Sequence, residues 1–135
     1  MINHHQIEVY VRFSETDALG HVNNVSYLIY FEEARTKFFD EACGDKELAN
    51  NFILAAVTCD YLSQAYAAQT LKIETSVSRL GTKSFTVDHL LTDKETGRKI
   101  AKGTAVLVAF DYINQETTII PHEVRSRLES RLITS

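Results

Sequence analysis

The sequence predicts an α+β fold in which one antiparallel sheet curls around one long helix. Three patterns predict it. Residues from Val25 to about Ala42 carry a helical period with apolar side chains over most of the circumference. Four strand-like stretches then follow one another with short polar turns between them, which favours an antiparallel sheet over repeated βαβ units. The longest of these stretches has a row of small residues, Ala101, Gly103, Ala105 and Ala109, that would let the helix approach closely.

In chain order, residues 6–13 alternate, with Ile7, Val9, Val11 and Phe13 on one face of a half-buried strand. Ser14 to Asn24 is rich in turn formers and reads as an ordered loop, with Asn23 or Asn24 as the cap of the helix that follows. In that helix Tyr27, Phe31, Ala34 and Phe38 form the inner stripe, and Leu28, Ile29 and Tyr30 widen it. Ser26, Glu33, Lys37 and Asp40 leave a narrow wet strip, so cover is expected on most sides. Gly44 supplies a C-terminal stop. Strands are expected over 52–62, 71–79, 84–92 and 99–111, with a hairpin turn at Asp93-Lys94-Glu95-Thr96-Gly97. Pro121 opens a last helix over 122–132.

The chain has 135 residues, a length expected to form a single domain over 1–135. Its 14 basic and 18 acidic residues give a net charge of −4, which argues against a general nucleic-acid binder. No apolar run approaches a membrane span, and Met1-Ile2-Asn3-His4 lacks the form of a signal peptide. Cys43 and Cys59 stand alone, which suits a reducing, cytoplasmic setting and two small buried side chains. Charge is uneven, however: residues 1–50 hold nine acidic and four basic side chains, whereas 51–135 hold nine and ten. The basic residues Lys72, Arg79, Lys83, Lys94, Arg98, Lys99 and Lys102 suit either solvated strand ends or a small phosphate-bearing ligand.

Phosphate-loop, dinucleotide, nucleophile-elbow and zincin motifs are all missing, and the histidines show no metal-ligand spacing, so neither metal nor cofactor is expected. His89 falls on an apolar strand face and reads as a core histidine. Unusual residue types concentrate instead in the Ser14–Asn24 loop, where Asp17, Gly20 and His21 precede the helix. Asp17 could cap a turn, with Gly20 at positive φ. Alternatively it could work with the helix end, whose free N–H groups and partial positive charge suit a carbonyl or oxyanion while a carboxylate acts as base or nucleophile.

The run from Arg12 to Tyr27, with Asp17-Ala18-Leu19-Gly20-His21-Val22-Asn23-Asn24 at its centre, resembles the hotdog-fold acyl-CoA thioesterases of the 4-hydroxybenzoyl-CoA thioesterase type. Tyr30-Phe31-Glu32-Glu33-Ala34-Arg35, Asp60-Tyr61-Leu62 and Arg79-Leu80-Gly81-Thr82-Lys83-Ser84-Phe85 extend the likeness over about residues 6–112. The resemblance implies a five-stranded antiparallel sheet around a long central helix. It also implies homodimers or homotetramers with active sites at the dimer interface, and an acyl-CoA substrate. By the same resemblance Asp17 is the catalytic carboxylate, and Asn24 offers the backbone N–H that polarises the thioester carbonyl. His21 and Tyr27 fall at the substrate, and Arg79, Lys83 and Ser84 are candidates for the CoA phosphates. One branch of the family has tyrosine where Phe13 stands and histidine where Asn24 stands, so mechanisms needing those side chains are closed to this chain. The competing expectation is a hotdog module that binds acyl-CoA or an acyl carrier without cleaving it.

Overall fold

The computed structural model describes residues 5–44 and 51–133, so the Met1–His4 stretch lies outside them. Strand β1 is His5–Tyr10 and helix α1 is Asn24–Cys43. Strands β2 (Phe52–Tyr61), β3 (Thr70–Leu80), β4 (Ser84–Asp93) and β5 (Lys99–Asp111) follow, then a two-residue β6 (Glu116–Thr117) and helix α2 (His122–Glu129). The sheet order is β1-β3-β4-β5-β2, every pair antiparallel, with β6 added against the end of β5. This is the predicted α+β, hotdog architecture.

The expected hairpin between the second and third strands does not form. Strand β2 lies at the edge beside β5, and residues 62–69 carry the chain across the sheet end to β3. Leu62 and Ser63 N–H donate to the Ile100 carbonyl (2.8 and 3.1 Å), and Ala68 N–H donates to that of Val11 (2.8 Å). The first strand is also shorter than its alternation suggests. The chain leaves the sheet after Tyr10, a 3-10 turn forms over Phe13–Glu15, and Phe13 is 85% exposed rather than inward.

Helix α1 is bounded as its sequence requires. The Asn23 side chain accepts from the Ser26 N–H (3.1 Å), and Gly44 at φ 67° closes the other end. Tyr27, Phe31, Ala34 and Phe38 are all buried against the sheet, and Glu33 pairs with Lys37 at 2.8 Å. Ser26, placed on the wet strip by periodicity, is instead buried, its hydroxyl donating to the Glu15 carbonyl (3.0 Å). The helix is not covered on most sides: Val25, Leu28 and Ile29 are 63%, 40% and 56% exposed. One sheet reaches only one side of a cylinder.

The core is divided along α1. Its first half packs Tyr27, Tyr30, Phe31 and Ala34 against Val9, Leu71, Ile73, Leu91 and Ala101. Its second half packs Phe38 and Phe39 against Phe52, Val77, Phe85 and Val87, with Val124 and Leu128 of α2 closing that end. Between them Thr75, His89, Gly103 and Cys59 lie side by side across four strands. The Phe31 ring sits over this row, stacked on His89 (centroids 5.0 Å apart, planes 6° apart). A β-carbon at position 103 would stand 2.7 Å from that ring.

Glu15 ties the loop before α1 to the helix. Its Oε1 accepts from the Arg12 N–H (3.0 Å) and the Tyr30 hydroxyl (2.8 Å), and its Oε2 from Arg12 Nε (2.9 Å). Its carbonyl accepts from the Asn23 N–H (3.0 Å) as well as from Ser26. Burial pushes the carboxyl pKa up, but the hydrogen bonds from Arg12 and Tyr30 outweigh it and hold it below its ordinary 4.5.

Two outcomes follow. Gly103→Ala should lower stability by about 1–3 kcal/mol, because the added carbon would stand 2.7 Å from the Phe31 ring and force the ring or the β5 backbone to shift; an unchanged urea midpoint would refute the close approach. Glu15→Gln should cost about 1–2 kcal/mol at neutral pH. A carboxyl whose folded pKa is lowered stabilises above its unfolded value and loses that contribution as pH falls through the folded value. The gap between wild type and variant should therefore narrow as pH falls below the ordinary 4.5; a gap of undiminished size at pH 3 would contradict the clamp.

Candidate active site

Glu15 fixes the stretch Thr16–Asn23 as a tight excursion in front of α1. Asp17 N–H donates to the His21 carbonyl (2.7 Å), Gly20 N–H donates to the Asp17 carbonyl (3.0 Å), and Gly20 takes φ 84°. Asp17 Oδ1 accepts from the N–H groups of Leu19 (2.8 Å) and His21 (3.3 Å). The turn-capping role is therefore real, and it orients the carboxylate. Both bonds fall on Oδ1, and the residue is exposed.

The same excursion is stitched to the crossing segment. Val22 N–H donates to the Ala65 carbonyl (2.8 Å), and His21 pairs with Tyr66, their rings edge to face at 5.1 Å. Tyr27, on the first turn of α1, is buried with its ring edge to face with Tyr61 at 5.1 Å. Burial raises its pKa; the Ala65 N–H at its oxygen opposes this, and Cys59, Asp17 and Tyr66 raise it further. Tyr27 thus stands as a neutral phenol within electrostatic reach of Asp17.

The helix end itself is open. Asn23 occupies the Ser26 N–H, and those of Asn24 and Val25 have no partner within the helix. No acidic residue sits in the first turn to neutralise the positive end of the dipole. Asp17, His21, Asn24 and Tyr27 are thus brought to one end of the molecule. The sequence pointed to this loop, but Glu15 and Tyr30, which hold it in place, carry no motif of their own. Tyr61 and Tyr66 join the group only through the crossing of 62–69.

Arg79, Lys83 and Ser84 are not part of this group within one chain. They lie at the far end of β3 and in the turn to β4, roughly 30 Å from the start of β3 at strand rise. That turn is hydrogen-bonded within itself and to α2: Gly81 N–H donates to the Ser84 carbonyl (2.8 Å), and the Arg125 guanidinium donates to the carbonyls of Gly81 and Thr82. Of the basic stretch, Lys72 and Lys94 are paired with Glu74 (3.3 Å) and Glu8 (3.0 Å). A cavity of about 130 Å³ lies between α1 and the β2 edge, lined by Leu28, Phe31, Glu32, Arg35, Leu54 and Val57 among others. Among the described residues, no three His, Cys, Asp or Glu side chains are grouped to hold a metal, and no helix is long and apolar enough to cross a membrane.

Comparison with known proteins places the chain in a family. Residues 11–128 match the thioesterase-like superfamily. The chain is 38% identical over 102 residues to the uncharacterized protein YsmA of Bacillus subtilis (strain 168), covering 75% of this chain and 69% of that one. It is 27% identical over 127 residues to the long-chain acyl-CoA thioesterase FadM of Escherichia coli (strain K12), covering 92% and 96%. Among solved structures, a thioesterase from Thermus thermophilus complexed with coenzyme A and Zn superposes with a TM-score of 0.84 at 31% identity, over 93% of this chain and 91% of that one. The chain belongs to the thioesterase-like superfamily and is a thioester hydrolase of the hotdog fold.

Proposed function

We propose that the protein hydrolyses acyl-CoA thioesters, within the 4-hydroxybenzoyl-CoA thioesterase type, at the Asp17 end of α1. The observation that carries this is the oriented Asp17 carboxylate held, on a loop clamped to the helix, before a helix N-terminus whose Asn24 and Val25 N–H groups have no helical partner and whose first turn holds no acidic residue. The thioester carbonyl oxygen rests on the Asn24 N–H, where the helix end stabilises the negative charge that develops. Asp17 takes a proton from water as its oxygen attacks the carbonyl carbon. The tetrahedral intermediate then collapses, the carbon–sulfur bond breaks, and the departing thiolate recovers that proton from Asp17. Tyr27 and His21 border the acyl and thioester portions.

The CoA phosphates fall to Arg79, Lys83 and Ser84 of a second copy, since one chain separates them from Asp17. Pairing of two copies would also cover the apolar side chains of α1 that the sheet leaves bare. Strand β2 favours such pairing: it is an edge strand with exposed Leu54, Val57 and Tyr61.

Asp17→Asn should reduce thiol release from acyl-CoA by about 10²- to 10⁴-fold while the far-ultraviolet spectrum and oligomer size stay unchanged. A thiol reagent and a panel of acyl-CoAs of different lengths measure this. Near-wild-type turnover in the variant would overturn the role of Asp17, and tight binding of acyl-CoA with no thiol release by wild type would favour a non-catalytic binding module.

A further inference from the structure

Outside glycine, two of the described residues take a positive φ: Gln115, exposed in the β5–β6 hairpin, and Ala68 at φ 70°. Ala68 lies on the crossing segment, in the four-residue turn Tyr66-Ala67-Ala68-Gln69, where the Gln69 N–H donates to the Tyr66 carbonyl (3.3 Å). Glycine or asparagine normally fills a left-handed turn position, because a β-carbon there crowds the backbone. An alanine holds that conformation only where its surroundings over-determine it, and such positions gather at functional sites.

The surroundings of this turn hold it from two sides. Toward the end of β1, the Ala68 N–H donates to the Val11 carbonyl (2.8 Å), and the Val11 N–H donates to the Gln69 carbonyl (2.9 Å). Val11 has no exposed surface. Toward the end of β4, the Gln69 carboxamide is used at both atoms: Oε1 accepts from the Tyr66 N–H (2.6 Å), and Nε2 donates to Asp93 Oδ2 (3.2 Å). Asp93 is fixed in its own turn, with Oδ1 accepting from the Glu95 N–H (3.0 Å) and its N–H donating to the Arg98 carbonyl (2.9 Å). What this frame holds is Tyr66. Tyr66 forms the antiparallel bridge with His21, and His21 brackets Asp17: its carbonyl accepts from the Asp17 N–H (2.7 Å), and its N–H donates to Asp17 Oδ1 (3.3 Å). Contacts thus run without a break from the sheet end at Asp93, through Gln69, Tyr66 and His21, to the candidate carboxylate.

We propose that Ala68 and Gln69 are positioning residues for the hydrolysis: together they hold Tyr66 against His21 and so set the Asp17 carboxylate before the end of α1. The proposal rests on the Asp17 reading and adds the frame on which that residue stands. No part of the frame is assigned to the acyl or CoA portions, so its loss should appear in kcat rather than in KM.

The test assays the full-length protein by thiol release from the acyl-CoA of the panel that wild type turns over fastest, with urea midpoints measured on the same samples. Ala68→Gly relieves the left-handed strain while freeing the turn. Its midpoint should stay level or rise, while kcat falls about three- to tenfold and KM stays within about twofold. A purely structural role would tie any loss of activity to a lower midpoint. Gln69→Glu sets two carboxylates against each other at the Asp93 contact and should lower kcat about tenfold. Combining it with Asp93→Asn restores the donor–acceptor pair with the groups exchanged, and kcat should return to within about twofold of wild type. Unchanged kcat in either single variant, or a loss in Gln69→Glu that the exchange does not recover, would overturn the assignment. Near-wild-type turnover in Asp17→Asn would overturn the Asp17 reading and this proposal with it. An inert Asp17→Asn beside a fully active Gln69→Glu would overturn the proposal alone.

Discussion

The Phe31 ring fills the space where a side chain at position 103 would stand, and this contact sets how closely the helix lies on the sheet. A glycine in the long strand β5 gives up backbone entropy and packing area, which is offset only if something else occupies the space. Here the occupant belongs to α1, so the helix is pinned over the Thr75–His89–Gly103–Cys59 row. The core divides on either side of this contact. The second half of the helix is closed by aromatic packing and α2, whereas the first half runs out toward a loop end. Burial and the nearby Arg35 charge draw the His89 pKa down to about 3, so the ring against Phe31 is neutral across the physiological range and works as a packed aromatic surface.

With the helix pinned, the position of its N-terminus is fixed, and the loop before it completes the arrangement. Glu15 is the pivot: its carboxylate and carbonyl together engage Arg12, Asn23, Ser26 and Tyr30, joining both ends of the excursion to the helix. Asp17 is then held by its own turn and by the stitch between Val22 and Ala65. A carboxylate near an uncompensated helix end, with a buried phenol alongside, is a suitable place to accept a proton and to stabilise an oxyanion. Neither task needs a long side-chain relay, which fits the absence of a histidine at Asn24.

Much of this was legible from residue order. The period of Tyr27, Phe31, Ala34 and Phe38, the alternation of β3 and β4, and the small face of β5 are local or nearest-neighbour patterns, and each element formed close to its expected bounds. What failed was long-range. No local pattern in 52–71 tells whether β2 and β3 pair directly or part to opposite sides of the sheet, and they part. The exposure of Phe13 and the burial of Ser26 have one cause, the Glu15 clamp, which draws the chain out of the sheet and turns Ser26 toward the loop. At the site, Asp17, His21, Asn24 and Tyr27 cluster because the loop is contiguous with the helix. Arg79, Lys83 and Ser84 do not, since the length of β3 carries them away from the loop.

The central claim is that the thioester sits between Asp17 and the first backbone N–H of α1. A crystal structure with a non-hydrolysable thioether analogue of an acyl-CoA tests it most directly. With the thioester there, the analogue's carbonyl oxygen lies within hydrogen-bond distance of the Asn24 N–H and an Asp17 carboxylate oxygen faces the carbonyl carbon. A carbonyl lying on the outer sheet face, or at the Arg79 turn away from any helix N-terminus, would contradict it.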